Sequence, residues 1–351
     1  MSTNRGDQGV RYGVVFNCTN PKPWFKPWDR HYEQVLEQAA AAEALGFDHV
    51  WLTEHHFLEH GYCPSLLTMA AAFAARTSRI TIGTWVLLLP LHNALRVAED
   101  AAVVDLISKG RFILGVGLGY RREEFEVLGI PREERPSRME EGIEVLRLAW
   151  SEERFSYSGR HYQVENLTVT PKPARAGGPP IWMAVRGKRP ARRAARLGCP
   201  IALAAGGGME EMQLWRDELT ARGQDPAGLE VLVPRNVYVT DDAEATAEEL
   251  RPYLTWDREG ATDLAVHYRE ANDHPRDAQL FRRPREMSAP RSLQIVGDPE
   301  HCLRELARQQ SELPATDVCL TFANGLPHER TLHYMERFAR EVMPGARGSA
   351  P

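Results

Sequence analysis

This chain lacks the features of a disulfide scaffold, a zinc module, a membrane protein or a nucleic-acid binder. Its cysteines, Cys18, Cys63, Cys199, Cys302 and Cys319, are five in number, far apart and never in a C-x-x-C pair. That pattern argues against a disulfide framework or a structural zinc site and fits a reducing compartment. There is no H-E-x-x-H or H-x-H, so no metal site is expected. No apolar run reaches the roughly 20 residues that cross a bilayer. The segment before Val10 has no apolar signal-peptide core, and a cytoplasmic protein is expected. A formal net charge of −5 over 351 residues offers no field to attract nucleic acid or an anionic membrane. Low-complexity tracts and internal repeats are also missing.

What is present is an alternation of strand and helix. Strand-like runs fall at Arg11–Phe16, His49–Thr53, Arg79–Leu89, Arg111–Gly117, Pro180–Val185, Pro200–Ala205, Leu229–Thr240 and Asp317–Ala323. Between them, Tyr32, Val35, Leu36, Ala39, Ala42 and Leu45 share one helical face, and Gly46 stands at the C-terminal cap. Ser137 and Glu140 have the spacing of a capping box. Pro190 suits a first helical turn, with Gly198 ending that helix. Asp298-Pro299 opens another helix, and a last one is expected from Glu329 to Met343. Eight strands alternating with helices fit an open doubly wound sheet or a closed (β/α)8 barrel, and the count favours the barrel. No break in composition divides residues 1–351, so one domain is expected, with residues 1–10 and Gly345–Pro351 disordered. Arg154–Pro173 is expected to be an excursion with short strands. Tyr253–Ser292, charged and proline-punctuated, is a candidate lid before the last strand.

Chemistry-bearing residues gather where strands should end, which is where α/β folds bind ligands. Thr53-Glu54-His55-His56-Phe57 follows the buried-strand pattern His49–Leu52. Neighbours on an extended strand point to opposite sides, so His55 and His56 cannot readily share an ion. One histidine can face the barrel mouth as a proton donor while the other packs outside. Gly115-Val116-Gly117-Leu118-Gly119-Tyr120 places glycines on one face, which leaves room for a flat ring or a phosphate, or for tight packing at a barrel corner. Val185-Arg186-Gly187-Lys188-Arg189-Pro190 is a basic loop at a helix start, suited to a phosphate or simply a solvated turn. Arg138 can contribute a bidentate contact to the same group.

The motifs Trp51–Phe57, Ile82-Gly83-Thr84, Leu89–Asn93, Arg96–Asp100, Val104–Phe112, Pro171-Lys172-Pro173 and Val296–Glu300, taken in order, closely resemble the bacterial luciferase-like, flavin-dependent monooxygenases. The resemblance runs from about Arg11 to Met343 and implies a (β/α)8 barrel. It implies that His55 is the catalytic histidine that helps form and protect a flavin C4a-hydroperoxide. Trp85 and Val86 match a pair joined by a non-prolyl cis peptide lying against the flavin ring. Leu118 stands where luciferase has a phosphate-binding arginine, whereas Arg138 keeps a second one. Tyr120 belongs to the same cofactor-facing strand end. Val185, Arg186 and Gly187 match the run that holds phosphate and ring, and Arg186, Lys188 or Arg189 can replace the lost arginine. Gly117 replaces luciferase's reactive cysteine, which counts against light emission but not against flavin binding.

The resemblance therefore implies an oxidoreductase, a two-component monooxygenase using exchangeable reduced FMN, O2 and a small, apolar organic substrate. A separate NAD(P)H:flavin reductase and a homodimer through barrel-side helices go with it. Two alternatives share the motifs: an F420-dependent hydride-transfer enzyme, and a noncatalytic flavin-binding subunit.

Overall fold

The computed structural model describes residues 9–204, 208–259 and 294–348. Eight parallel strands close into a barrel: β1 (Arg11–Phe16), β2 (His49–Leu52), β3 (Thr81–Thr84), β4 (Phe112–Val116), β5 (Ile181–Val185), β6 (Ile201–Leu203), β7 (Val231–Val239) and β8 (Asp317–Leu320). The last strand returns to the first, with Arg11 opposite Asp317 and Val14 opposite Leu320. Strands β2, β4 and β8 are buried at every residue, because helices cover the outside and side chains fill the inside. The helices are α1 (Trp28–Ala44), α2 (Leu66–Arg76), α3 (Ala94–Ser108), α4 (Arg122–Val127), α5 (Arg135–Ser151), α6 (Lys188–Arg196), α7 (Met209–Ala221), α8 (Ala243–Glu259), α9 (Pro299–Glu312) and α10 (His328–Arg337). Among the described residues, no helix is long and apolar enough to cross a membrane.

The barrel interior is plugged. Val15, Trp51, Ile113, Trp182, Ala202, Leu232 and Cys319 form its core, with Trp85 packed against them. The Trp51 and Trp182 rings lie 5.2 Å apart. Trp51 fits because β3 carries Gly83 beside it, where a Cβ would overlap the indole. Its Nε1–H donates to His49 Nδ1 at 2.6 Å, satisfying the one polar atom of the buried ring. With this floor packed, polar chemistry is left to the strand tips.

Several local expectations hold. Gly46 follows α1 at φ +84°, Gly198 follows α6 at φ +62°, and the Asp298 side chain accepts from His301 N at the start of α9. The Arg154–Pro173 excursion contains an antiparallel hairpin, Phe155–Ser158 with Gln163–Leu167. Others need correction. The Ser137–Glu140 capping box does not form, because α5 begins two residues earlier with Pro136 in its first turn. Ser137 Oγ instead donates to Glu134 O and pairs with His161 Nε2. A ninth strand, Gln294–Gly297, extends β7 beyond the barrel by pairing with Asn236–Val239. The C-terminal segment is not disordered through Gly348: a helix spans Met343–Arg347, and Arg347 Nη2 reaches Asp48 Oδ2 at 2.7 Å. Gly9 and Val10 are likewise placed, Val10 in the core. Of the candidate lid, Tyr253–Glu259 completes α8, with the Tyr253 ring tilted against Trp24, centroids 4.4 Å apart. Residues 260–293 lie outside the described residues, as do 1–8 and 349–351.

Candidate active site

The tips of β2 to β5 are neighbours around the barrel, so their side chains face one rim. Alternation beyond β2 sends Thr53 and His55 to one side and Glu54 and His56 to the other. Thr53 Oγ1 donates to Asn17 Oδ1, and Asn17 Nδ2 to Asn324 Oδ1, which ties the tips of β1, β2 and β8 together.

His55 is buried, 8% exposed, and its two ring nitrogens have different partners. Nδ1 lies 3.0 Å from Glu124 Oε1, and Nε2 lies 2.9 Å from the Tyr120 hydroxyl. The same Glu124 oxygen accepts from the His56 backbone N–H at 2.9 Å, so it faces His55 as an acceptor. Nδ1 therefore donates, and Nε2 is left to accept from Tyr120. Glu124 is fully enclosed, as is Arg121, whose guanidinium bonds His56 O and reaches Glu123 Oε2 at 2.8 Å. Tyr62 closes the other side of the imidazole edge-on at 4.9 Å. The result is a Tyr–His–Glu chain, buried at His55 and Glu124 and half-buried at Tyr120, able to hold or pass a proton at Nε2.

On the opposite side, Glu54 Oε1 meets His56 Nε2 at 3.0 Å and His92 Nε2 at 2.8 Å, while Oε2 accepts from Leu88 N at 2.5 Å. Burial would raise the Glu54 carboxyl, but His92 and His56 outweigh it and hold it at about 2. Burial works against the charged His92 ring too, yet Glu54 wins and raises its pKa.

The Trp85–Val86 peptide is cis, and both residues are half-buried at the β3 tip. Leu87 continues alongside β4, its N–H donating to Gly115 O at 2.8 Å and its carbonyl accepting from Gly117 N at 2.9 Å. The room beside the β4 glycines is thus already taken. A Cβ at Gly115 would overlap Thr84 O, and one at Gly117 would overlap the Val86 side chain. Of the two readings of these glycines, the packing one fits: Gly115 and Gly117 seat the chain's own Thr84–Val86. Leu118 is half-buried and packs against the core. Phe25, Trp28 and Phe57 are exposed.

The anion-binding expectation meets a mixed outcome. Val185 ends β5 fully buried, Arg186 follows it half-buried, and Gly187 caps α6 at φ +88° with open space where a Cβ would stand. Gly187 N–H already holds an anionic group, the Glu211 carboxylate at 3.2 Å, which also accepts from Gly208 N at the start of α7. Lys188 is turned to the surface and paired with Glu210 at 2.6 Å. Arg138 is paired with Glu134 at 2.9 Å. Nearby on α6, Arg193 pairs with Glu140 through Nε while its Nη1 is buried without an acceptor.

Glu124, Arg121 and His92 escaped the sequence reading. The signal for Glu124 was its i,i+3 spacing from Arg121, the residue that precedes α4, and that for the second cluster was Glu54-x-His56 on one side of an extended tip.

The model of the luciferase-like monooxygenases matches residues 11–316. The oxygenase component of the flavin-dependent trigonelline monooxygenase of Acinetobacter baylyi is 25% identical over 333 residues, 89% of each chain. The F420-dependent glucose-6-phosphate dehydrogenase of Amycolatopsis mediterranei is 29% identical over 81% of this chain and 78% of its own. An uncharacterized Sinorhizobium fredii protein is 32% identical, with the match spanning 59% of this chain and 60% of that protein's length. Among solved structures, monooxygenase RslO1 from Streptomyces bottropensis superposes with a TM-score of 0.80 at 26% identity, covering 95% of this chain and 99% of that one. Barrel, strand-tip histidine and these matches agree: the chain belongs to the luciferase-like monooxygenase family.

Proposed function

We propose that this protein is the oxygenase of a two-component, FMN-dependent monooxygenase acting on a small, apolar organic substrate, with reduced FMN delivered by a separate NAD(P)H:flavin reductase. The carrying observation is the Tyr120–His55–Glu124 chain, buried at His55 and Glu124, at the rim that also carries the half-buried Trp85 and Val86. The residues present suit a phosphate-bearing ring cofactor. Gly187 and Gly208 leave open space at two helix N-termini already occupied by a carboxylate, and Arg193 Nη1 is a buried cationic donor without an acceptor. Val185, Arg186 and Gly187, with Arg138 once released from Glu134, would hold the phosphate end, and Trp85 and Val86 the ring. Bound reduced FMN would supply the electrons that activate O2.

The protein's part is orientation, exclusion of water and proton control. Trp51, Trp182 and Trp85 make a dry floor under the site. Glu124 fixes the His55 tautomer, so Nε2 is the nitrogen that takes or returns a proton, with Tyr120 as its neighbour. A homodimer fits the exposed apolar stripe Val103, Leu106 and Ile107 on α3, each more than 40% exposed.

One finding favours the F420 alternative: the F420-dependent glucose-6-phosphate dehydrogenase is 29% identical over 81% of this chain. Anaerobic titration of the purified chain with reduced FMN and with reduced F420 separates the two. Tighter FMN binding, followed by O2 uptake coupled to product across an apolar panel, supports the proposal. F420 binding with hydride transfer and no O2 uptake overturns it.

A further inference from the structure

We propose that Glu54, His56 and His92 form a binding site for one divalent transition-metal ion of the zinc class, on the far side of the β2 tip from His55. Glu54 and His56 are two apart on extended chain and so share a side. His92 arrives from the β3–α3 connection, just before Asn93, whose side chain caps α3. Both imidazoles aim Nε2 at the same carboxylate oxygen, at 3.0 and 2.8 Å, and one ligand atom from each residue lies within 4.8 Å of the others. Zinc bonds of about 2.0–2.2 Å in a tetrahedral site place ligand atoms roughly 3.3 Å apart, so a small outward shift admits an ion.

The surroundings are those of a built site. Glu54 is enclosed, and the Leu88 N–H on its second oxygen orients it, as outer contacts orient metal-binding carboxylates. The His92 side chain is 30% exposed, which leaves an entry path and an open coordination position for water. Two imidazoles and one carboxylate suit zinc, cobalt or nickel, whereas calcium and magnesium call for more oxygens. Binding requires each Nε2 to present its lone pair, so the proton it now directs at Glu54 moves to Nδ1 or to solvent. The ion would cross-link the β2 tip to the β3–α3 connection and fix the backbone on both sides of His55, without touching the His55 ring. The site does not depend on which cofactor the barrel mouth takes.

The test is calorimetric titration of the chelator-treated, full-length protein with zinc chloride, alongside the visible absorption of a cobalt titration. One ion per chain at micromolar affinity or tighter is expected, with a tetrahedral-type cobalt spectrum. His92→Gln and His56→Gln should each weaken binding on the order of 100-fold. His92→Gln is the milder change, since Glu54 keeps His56 and Leu88, so a folded variant is available. Absence of stoichiometric binding to the wild type overturns the proposal, and so does undiminished affinity in both histidine variants.

Discussion

Replacing Glu124 by glutamine separates the charge that faces His55 from the shape that carries it. When Nε2 takes a proton, the positive charge on the imidazole lies 3.0 Å from the Glu124 carboxylate, measured at Nδ1. At an effective dielectric of about 20, that attraction is worth about 5 kcal/mol. A glutamine oxygen can still accept from Nδ1–H and from His56 N, so roughly half is retained and about 2–3 kcal/mol is lost. The cost in a proton-transfer step is then roughly 30- to 150-fold. The fold should survive, because Arg121 keeps Glu123 and His56 O, and the change in stability should be about 1–2 kcal/mol. The assay measures, for wild type and Glu124→Gln, the dissociation constant of reduced FMN, the rate of O2 uptake and the ratio of product to hydrogen peroxide. The expected outcome is reduced-FMN affinity within about 3-fold, turnover down by the factor above, and a larger share of oxygen released as peroxide. Unchanged coupled turnover would refute the reasoning, as would a loss confined to FMN affinity, since either would make Glu124 a packing group and not the partner of a proton-carrying His55.

Three further expectations concern the scaffold. Burial would raise the Glu43 carboxyl, but the backbone N–H groups of Ile80, Arg79 and Ser78 hold it at about 2, so its contribution is present above about 4.5 and lost as pH falls from there to about 2. With the side chain only partly buried, that contribution is discounted to about 1–2 kcal/mol, and urea titrations at pH 7 and 2.5 should show Glu43→Gln weaker at neutral pH with a flatter acid slope. Gly83→Ala places a methyl into the enclosed Trp51 ring and should cost about 1–3 kcal/mol by thermal unfolding, whereas Gly228→Ala, with open space around it, should stay within about 0.5 kcal/mol. If the α3 stripe is a dimer face, Ile107→Glu should halve the mass seen by light scattering without lowering secondary-structure content by circular dichroism.

All eight barrel strands were legible in the sequence, because buried parallel strands leave near-continuous apolar runs between helical periods. The ninth strand was not: Gln294–Gly297 is four residues long with only Ile295 and Gly297 buried, and its existence depends on the overhang of β7. The capping box misled because Pro136, one residue earlier, suits the first turn equally well and moves the helix start. The β4 glycines allowed either room for a ligand or tight packing, because a gap in side chains does not say what fills it, and beside Gly117 Val86 does. Glu124 was invisible for a related reason. In Arg122-Glu-Glu-Phe-Glu-Val it looks like one of three solvated acids, and only Arg121 and the β2 tip closing over it make it a buried partner.

The two histidines show where local reasoning stops. Alternation correctly separates His55 from His56 and forbids a shared ion, yet it does not make them independent. The His56 side chain belongs to the Glu54 cluster, while its N–H is held by Glu124 and its carbonyl by Arg121, both members of the His55 network. One residue therefore carries both clusters. A change that pulls on the His56 side chain acts on the residue whose backbone N–H shares the Glu124 oxygen with His55. Since that oxygen sets which nitrogen of His55 carries the proton, occupancy or loss of the outer cluster should be felt at Nε2 through the His56 backbone.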